Sequence, residues 1–395
     1  MDLEDEDRFL ASKGMKDIAA SQGWWDKENE AFNFFQAFAQ HSDKDLGGKR
    51  QYVWRRQWRV YSLVAPSLGL KATDTTFPLA VRPDAKLSLD DVFDILRDHY
   101  EGTEWDMTKG IAAGPFGSPA RYDTSPGLVE GGAWERPISI YRGLFAFVAV
   151  VRPELPDCIG GQLWYGWDQP NGAVFHPIYV SAESLPDGYD RWGKQSVWEE
   201  KSSWRPFNLV NNWVNLRYDH MSIVRKATIR EWQNKSYQVG RDADAQALAA
   251  WTKGGKMAAG KVLAQVCNAH ARSLVAQWWT LFHNLSVRFA NNYDLKGEGA
   301  DEWTQLEYPA WWLELTDYVS YPHEPPPPPL RSNACNISSS SPSPGPSTQH
   351  GKCGLGKAIL VGGVSGLLVF VAAEVTRRFC CAGTGGGEGS GYLAM

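Results

Sequence analysis

Apolar positions recur along this chain with two different periods. From Ser88 to Glu101 (SLDDVFDILRDHYE), Val92, Leu96 and Tyr100 stand four residues apart, Asp90 and Asp91 follow the opening serine, and Gly102 stands just past the end. A serine cap, early acidic residues and a terminal glycine each satisfy or complement exposed backbone groups at a helix end, so a helix is predicted there. Ile138 to Val151 (ISIYRGLFAFVAVV) is instead a β-branched and aromatic run closed by Arg152-Pro153, which predicts a strand or hairpin. Gly160 to Tyr179 has two aromatic-rich arms around Gln169-Pro170-Asn171-Gly172, a sequence that reverses a β-chain. Consecutive strands of this kind form an antiparallel meander. Asn208–Asn234 and Asp242–Phe289 return to an apolar spacing of about 3.6 residues and predict helices packed on that sheet. The fold class expected for the body is α+β.

The pattern changes after Pro322. Residues 324–354 open with a proline run and continue in Ser, Pro and Gly, with too little apolar surface to offset the entropy of ordering. Residues 355–376 contain the uncharged stretch Ala358–Ala373, flanked by Lys357 and by Arg377-Arg378, and a Gly-rich tail occupies 377–395. An apolar segment beyond such a stalk has no core to join, so it is expected to be a single transmembrane helix. The expected organisation is a globular body over 1–323, a linker, a span and a short cytosolic tail. That topology places the body in a lumen or outside the cell, although Met1 is followed by DLEDEDRF, with no apolar leader.

Composition narrows the function classes. A net charge of -5 offers no field to gather phosphate backbone, so a nucleic-acid partner is not expected. Only Cys158 and Cys267 lie in the body, too few for a disulfide scaffold. No glycine-rich phosphate loop stands between a strand and a helix, and no nucleotide cofactor is expected. His41, Asp43 and Asp45 lack a second cluster at ligand spacing and read as a polar turn; no metal is expected.

Several strings carry a family resemblance. FLASKGMKDIAASQGWWD, FNFFQAF followed by HSDKD, RDHYEGTEWDMTKGIAAGPFG, ERPISIYR, LPDCIGGQLWYGWDQP with FHPIY, and SSWRPFNLVNN stand in order between Leu3 and Asp317. Together they resemble the dipeptidase family of cysteine N-terminal-nucleophile hydrolases, that of bacterial dipeptidase A and the secernins. The resemblance implies a four-layer αββα sandwich, hydrolysis of dipeptides, and a cysteine at the mature N-terminus whose own α-amino group acts as base. The first cysteine in the sequence is Cys158, in the middle of the match. The sequence is therefore expected to correspond to the carboxyl-terminal two-thirds of the family, with the nucleophile in a stretch preceding it. The alternative is a catalytically silent hydrolase acting as a membrane-held peptide- or sugar-binding protein.

Within that resemblance, Arg142 is the candidate catalytic residue. It stands in an apolar run read as a strand, where a buried guanidinium is costly unless paired, and the wider nucleophile-hydrolase class resembles this in setting an arginine beside the thiolate. The competing reading is an arginine reaching from a sheet edge to a structural carboxylate. A dipeptidase must also hold a free ammonium and a free carboxylate, and Glu101, Thr103 and Asp106 are the candidate substrate-binding residues. Arg97 and His99 read as cations of a last helical turn, and Cys158 as a small buried hydrophobe at a strand edge. Trp164, Trp167, Trp198, Trp204 and Trp213 fall in motifs that resemble packed core, which argues against an exposed sugar platform.

Overall fold

A computed structural model describes residues 11–29, 31–39, 51–74, 76–78, 80–122, 135–190, 196–297 and 302–318. His41, Asp43, Asp45 and the stretch Ala358–Ala373 lie outside them. The chain separates into two units, Met1–Glu324 and Pro325–Met395, and all the described residues belong to the first. Among the described residues no helix is long and apolar enough to cross a membrane.

Among the described residues the helices α1 (Met15–Ser21), α2 (Phe34–Ala39), α3 (Gln51–Val64) and α4 (Leu89–Arg97) precede the sheet. The sequence of α4 explains its start. Ser88 Oγ accepts from Asp91 N at 3.2 Å while Asp91 Oδ2 accepts from Ser88 N at 2.7 Å, a reciprocal capping box. Val92, Phe93, Ile95 and Leu96 then face inward.

The sheet comprises β1 (Phe145–Val151), β2 (Gly161–Trp167) and β3 (His176–Tyr179), with the short helix α5 (Asp157–Gly160) between β1 and β2. Its order is β1-β2-β3, antiparallel throughout, with Phe145 opposite Trp167 and Leu163 opposite Ile178. This is the expected meander, but β1 begins later than the apolar run suggests. Ser139 N donates to Asp98 O at 3.1 Å and Gly143 N to Ile140 O at 3.0 Å, so the residues before β1 are tied into a turn. Cys158 lies in α5 rather than at a strand edge, and it is buried as expected.

Alternation along the strands gives the sheet two faces. Ala146, Val148, Val150 and Trp164 pack with Phe93, Leu96, Phe175 and Tyr237, and the Phe93 and Phe175 rings stack at 4.3 Å. The other face turns Tyr165, Trp167 and Ile178 toward α6 (Trp204–Val214) and α7 (Tyr218–Arg288), where Phe207 stacks on the fully buried Trp278 at 4.7 Å. Phe145, Phe147 and Val151 of β1 remain 50%, 43% and 78% exposed, so this face is covered only in part. Of the tryptophans expected in the core, Trp164, Trp167 and Trp204 are buried and Trp213 partly so, but Trp198 is exposed.

The long helix α7 reverses at Gly255, whose φ of 66° suits a residue without Cβ, and its two arms meet where Ser236 Oγ and His270 Nε2 hydrogen bond at 2.8 Å. A hairpin of β4 (Tyr293–Leu295) and β5 (Trp303–Gln305) and the helix α8 (Ala310–Leu315) complete the described chain.

Candidate functional site

Two turns and the junction of α6 with α7 meet at one end of the sheet. The first turn follows α4. Arg59 of α3 grips Asp98 through Nε at 2.9 Å and Nη2 at 2.6 Å, and also donates to Glu101 O at 2.9 Å, fixing the chain as it leaves the helix. Tyr100 takes a positive φ of 66°, so the backbone curls and the Glu101 carboxylate returns to His99. Glu101 Oε2 accepts from His99 N at 2.5 Å, and Oε1 lies 3.0 Å from His99 Nδ1. Burial opposes ionisation of Glu101, but the His99 hydrogen bonds and charge outweigh it and bring its pKa down to about 2. The carboxylate thus stays charged while remaining 43% exposed.

The other two residues of that candidate set serve the turn itself. Thr103 Oγ1 donates to Tyr100 O at 2.7 Å and accepts from Trp105 N at 3.1 Å. Asp106 accepts from Thr108 N at 2.9 Å and Thr108 Oγ1 at 2.6 Å. Arg97 does sit in the last turn of α4, and it also donates to Ala173 O at 3.1 Å and Gln233 Oε1 at 3.2 Å, joining the helix to the sheet and to α7.

The second turn, Asp168 to Gly172, links β2 to β3. Asp168 N donates to Leu144 O at 2.8 Å, and Asn171 N donates to Ser139 Oγ at 2.9 Å. Because Ser139 N is bonded to Asp98 O, the two turns share a support. Asp168, 2% exposed, accepts from Asn211 Nδ2 at 2.8 Å and Asn208 Nδ2 at 3.1 Å. Burial pushes its pKa up to about 6, against the pull of those two amides. Asn211 is oriented by this arrangement, since its Nδ2 faces the Asp168 carboxylate and its Oδ1 accepts from Arg225 Nη1 at 2.7 Å. Gly172 makes room for it, because a Cβ there would fall 1.8 Å from Asn211 Oδ1.

Arg225 is fully buried, and among the described residues its Nε and Nη2, like the buried Asn171 Oδ1, make no well-formed hydrogen bond, although the Tyr218 hydroxyl approaches both side chains. Burial lowers the Arg225 pKa, while Tyr218 and Asp168 favour its charge. The Tyr218 phenol is raised by burial, drawn down by the Arg225 guanidinium and raised again by the Glu101 carboxylate. A cation and an anion therefore act on one phenol from two elements, an arrangement that can hold a ligand with both charges.

Arg142 does not lie on a strand. It is exposed in the turn before β1, with its guanidinium 5.9 Å from the centre of the Tyr141 ring. Pro137 and Gly143 bracket the residues expected to extend and let them turn instead. That turn packs on the second one, since a Cβ on Gly143 would lie 3.6 Å from Pro170 Cδ and 3.7 Å from Asp168 O. Glu101 and the Arg142 turn therefore reach the same end of the sheet. Asp168, Asn171, Asn211, Tyr218 and Arg225 were not expected there; the hint is the Asn208/Asn211 pair, three residues apart on one helix face.

Neither thiol among the described residues suits nucleophilic attack. Cys158 and Cys267 lie in an apolar cluster with Ile159, Ala247 and Leu263, and burial together with the Asp244 charge pushes Cys267 up to about 12. Among the described residues no group of three His, Cys, Asp or Glu side chains could hold a metal ion.

A probable dipeptidase of Salmonella dublin is 28% identical over 191 residues, 48% of this chain and 39% of that protein. A probable dipeptidase of Latilactobacillus sakei is 25% identical over 189 residues, covering 48% and 36%, and dipeptidase A of Lactobacillus helveticus is 22% identical over 188 residues, covering 48% and 35%. The chain thus spans well under half the length of these relatives. Residues 1–231 match Peptidase family C69, and over that majority of its length the chain belongs to this peptidase family.

Proposed function

We propose that the protein hydrolyses dipeptides with a thiol that lies outside the described residues, and that the sheet end around Tyr218 receives the two charged termini of the substrate. Glu101 takes the ammonium. Arg225, held by Asn211, takes the carboxylate, and Arg142 on the adjoining turn faces the thiolate. Thr103 and Asp106 shape the loop that presents Glu101. The observation that carries this reading is the Arg225 guanidinium, fully buried with Nη1 bonded to Asn211 and, among the described residues, no well-formed hydrogen bond at Nε or Nη2, beside Asn171 Oδ1, which is likewise unbonded. A buried cation left in that state is a standing cost unless an anion completes it.

The same reading places the sheet in one leaf of an αββα sandwich, its partly exposed face, with Phe145, Phe147 and Val151, being the surface a second leaf would cover. It assigns Ala358–Ala373 to a membrane anchor. A second reading, a chain that binds dipeptides without cleaving them, is favoured by the burial of both thiols among the described residues, Cys158 and Cys267.

One experiment separates the two. The purified protein is incubated with a panel of dipeptides, and released amino acids are measured by mass spectrometry with and without prior iodoacetamide, alongside calorimetric binding. Release abolished by iodoacetamide is the expected result. Binding without release selects the second reading, and neither binding nor release by folded protein refutes both.

A further inference from the structure

A second feature lies away from the Glu101–Arg225 end. The loops before α6 and the second arm of α7 enclose a cleft of about 560 Å³, with Tyr189 and Val275 in its wall. Asp187, Asp190 and Glu200 bring three negative charges to its lining, and Lys201 and Arg272 two positive ones. All five side chains are exposed, and among the described residues Asp187, Glu200, Lys201 and Arg272 make no ion pair or side-chain hydrogen bond. Opposite charges that share a cleft and yet do not pair are held apart by the scaffold.

The scaffold here is well fixed. Ser203 N donates to Gly188 O at 3.2 Å and Ser203 Oγ to Asp187 O at 3.3 Å, lacing the two loops together. Gly188 has a φ of 84°, and a Cβ there would meet Lys201 O at 2.2 Å, so the loops approach as closely as bare backbone permits. Behind them the Tyr189 hydroxyl bonds His176 Nε2 at 2.7 Å, anchoring the loop to β3. The charges are thus presented on a braced frame, and the volume lies within the usual small-molecule range of roughly 300–1,000 Å³.

We propose that this cleft binds a free zwitterionic α-amino acid, with its carboxylate toward Arg272 and Lys201 and its ammonium toward Asp187 and Glu200. The preference for a zwitterion comes from the charge pattern; the choice of an amino acid, the product a dipeptidase releases, rests on the function proposed above. The cleft shares no residue with the Glu101–Arg225 end and would let product concentration bias the enzyme.

The test titrates the full chain with L-leucine, N-acetyl-L-leucine and L-leucinamide, followed by ligand-observed NMR. Leucine should bind, and each blocked analogue roughly fivefold more weakly, the scale of one solvent-exposed ion pair. Arg272→Gln should weaken leucine and N-acetyl-leucine alike while leaving leucinamide unchanged. Glu101→Gln, which disables the proposed substrate site, should leave leucine affinity as it was. The proposal is overturned if the three ligands bind equally, if leucine does not bind at millimolar concentration, or if Glu101→Gln abolishes leucine binding that Arg272→Gln preserves. Leucine binding by protein that cleaves no dipeptide would sink the dipeptidase reading and leave the zwitterion site standing.

Discussion

Asp168→Asn separates the charge of the buried carboxylate from its shape. The substitution is nearly isosteric. Its Oδ1 can still accept from Asn211, and the partly buried Asn208 can turn its amide to accept from the new Nδ2, so one hydrogen-bond rearrangement is the expected steric and polar consequence. What disappears is the cost of charging a buried acid. Burial lifts the Asp168 pKa from 3.8 to about 6 in the folded protein. A difference of roughly two units is worth about 3 kcal/mol between protonation states. Between those two pH values the folded state binds more protons than the unfolded one, so stability from this group is fullest in acid and is lost as pH rises through the window. The wild-type unfolding free energy minus that of Asp168→Asn should therefore fall by about 3 kcal/mol between about pH 3.5 and pH 7 and then stay level. Urea unfolding followed by tryptophan fluorescence at each pH measures it, and the buried histidines cancel because both proteins carry them. Parallel curves for the two proteins would refute the reasoning, since they would mean that the folded carboxylate titrates like an unfolded one.

His176 and His270 should act in the opposite direction: burial lowers them to about 3 and about 4, so their stability contribution is present near neutrality and lost as pH falls below about 6.5, and His176→Phe should flatten acid unfolding in that range. Gly172→Ala should cost about 1–3 kcal/mol and disturb Asn211, because the new methyl overlaps its Oδ1; an unchanged melting temperature would contradict that contact. Arg142→Lys keeps the charge but loses the planar fork, and if the cation faces a thiolate it should lower kcat by about 10²–10³ with the melting temperature preserved, whereas turnover within about threefold of wild type removes Arg142 from the site. If Ala358–Ala373 spans a bilayer, the full chain should stay with membranes through a carbonate wash and a version ending at Pro322 should not; equal partition would exclude the anchor.

Local sequence signals were readable where one stretch of chain supplied its own partners. The α4 cap is written in Ser88 and Asp91, the reversal between β2 and β3 in Gln169-Pro170-Asn171-Gly172, and the packed helices in the spacing of α6 and α7. The start of β1 was not readable, because Ser139 is captured by Asp98 and Asn171 from distant positions, and no period in the run reports that. Glu101 could be nominated from its loop chemistry. Arg225 could not, since at its place in α7 it reads as an ordinary charge on a helix, and only the approach of Asn211 and Tyr218 shows that it is buried with unbonded nitrogens.

The reversal of α7 at Gly255 bears on how this chain would fold. Ser236 and His270 bring the two arms together across only the residues between them, and the meander of β1, β2 and β3 is likewise closed by near neighbours in sequence. Contacts of that kind lose little loop-closure entropy and form early, whereas α4 reaches the sheet and α7 only through distant partners such as Arg97 with Gln233. The helical hairpin and the meander should therefore acquire structure in the folding transition state before α4 docks. Truncations in the arms of α7 should slow folding, and truncations at the α4 contact should chiefly speed unfolding.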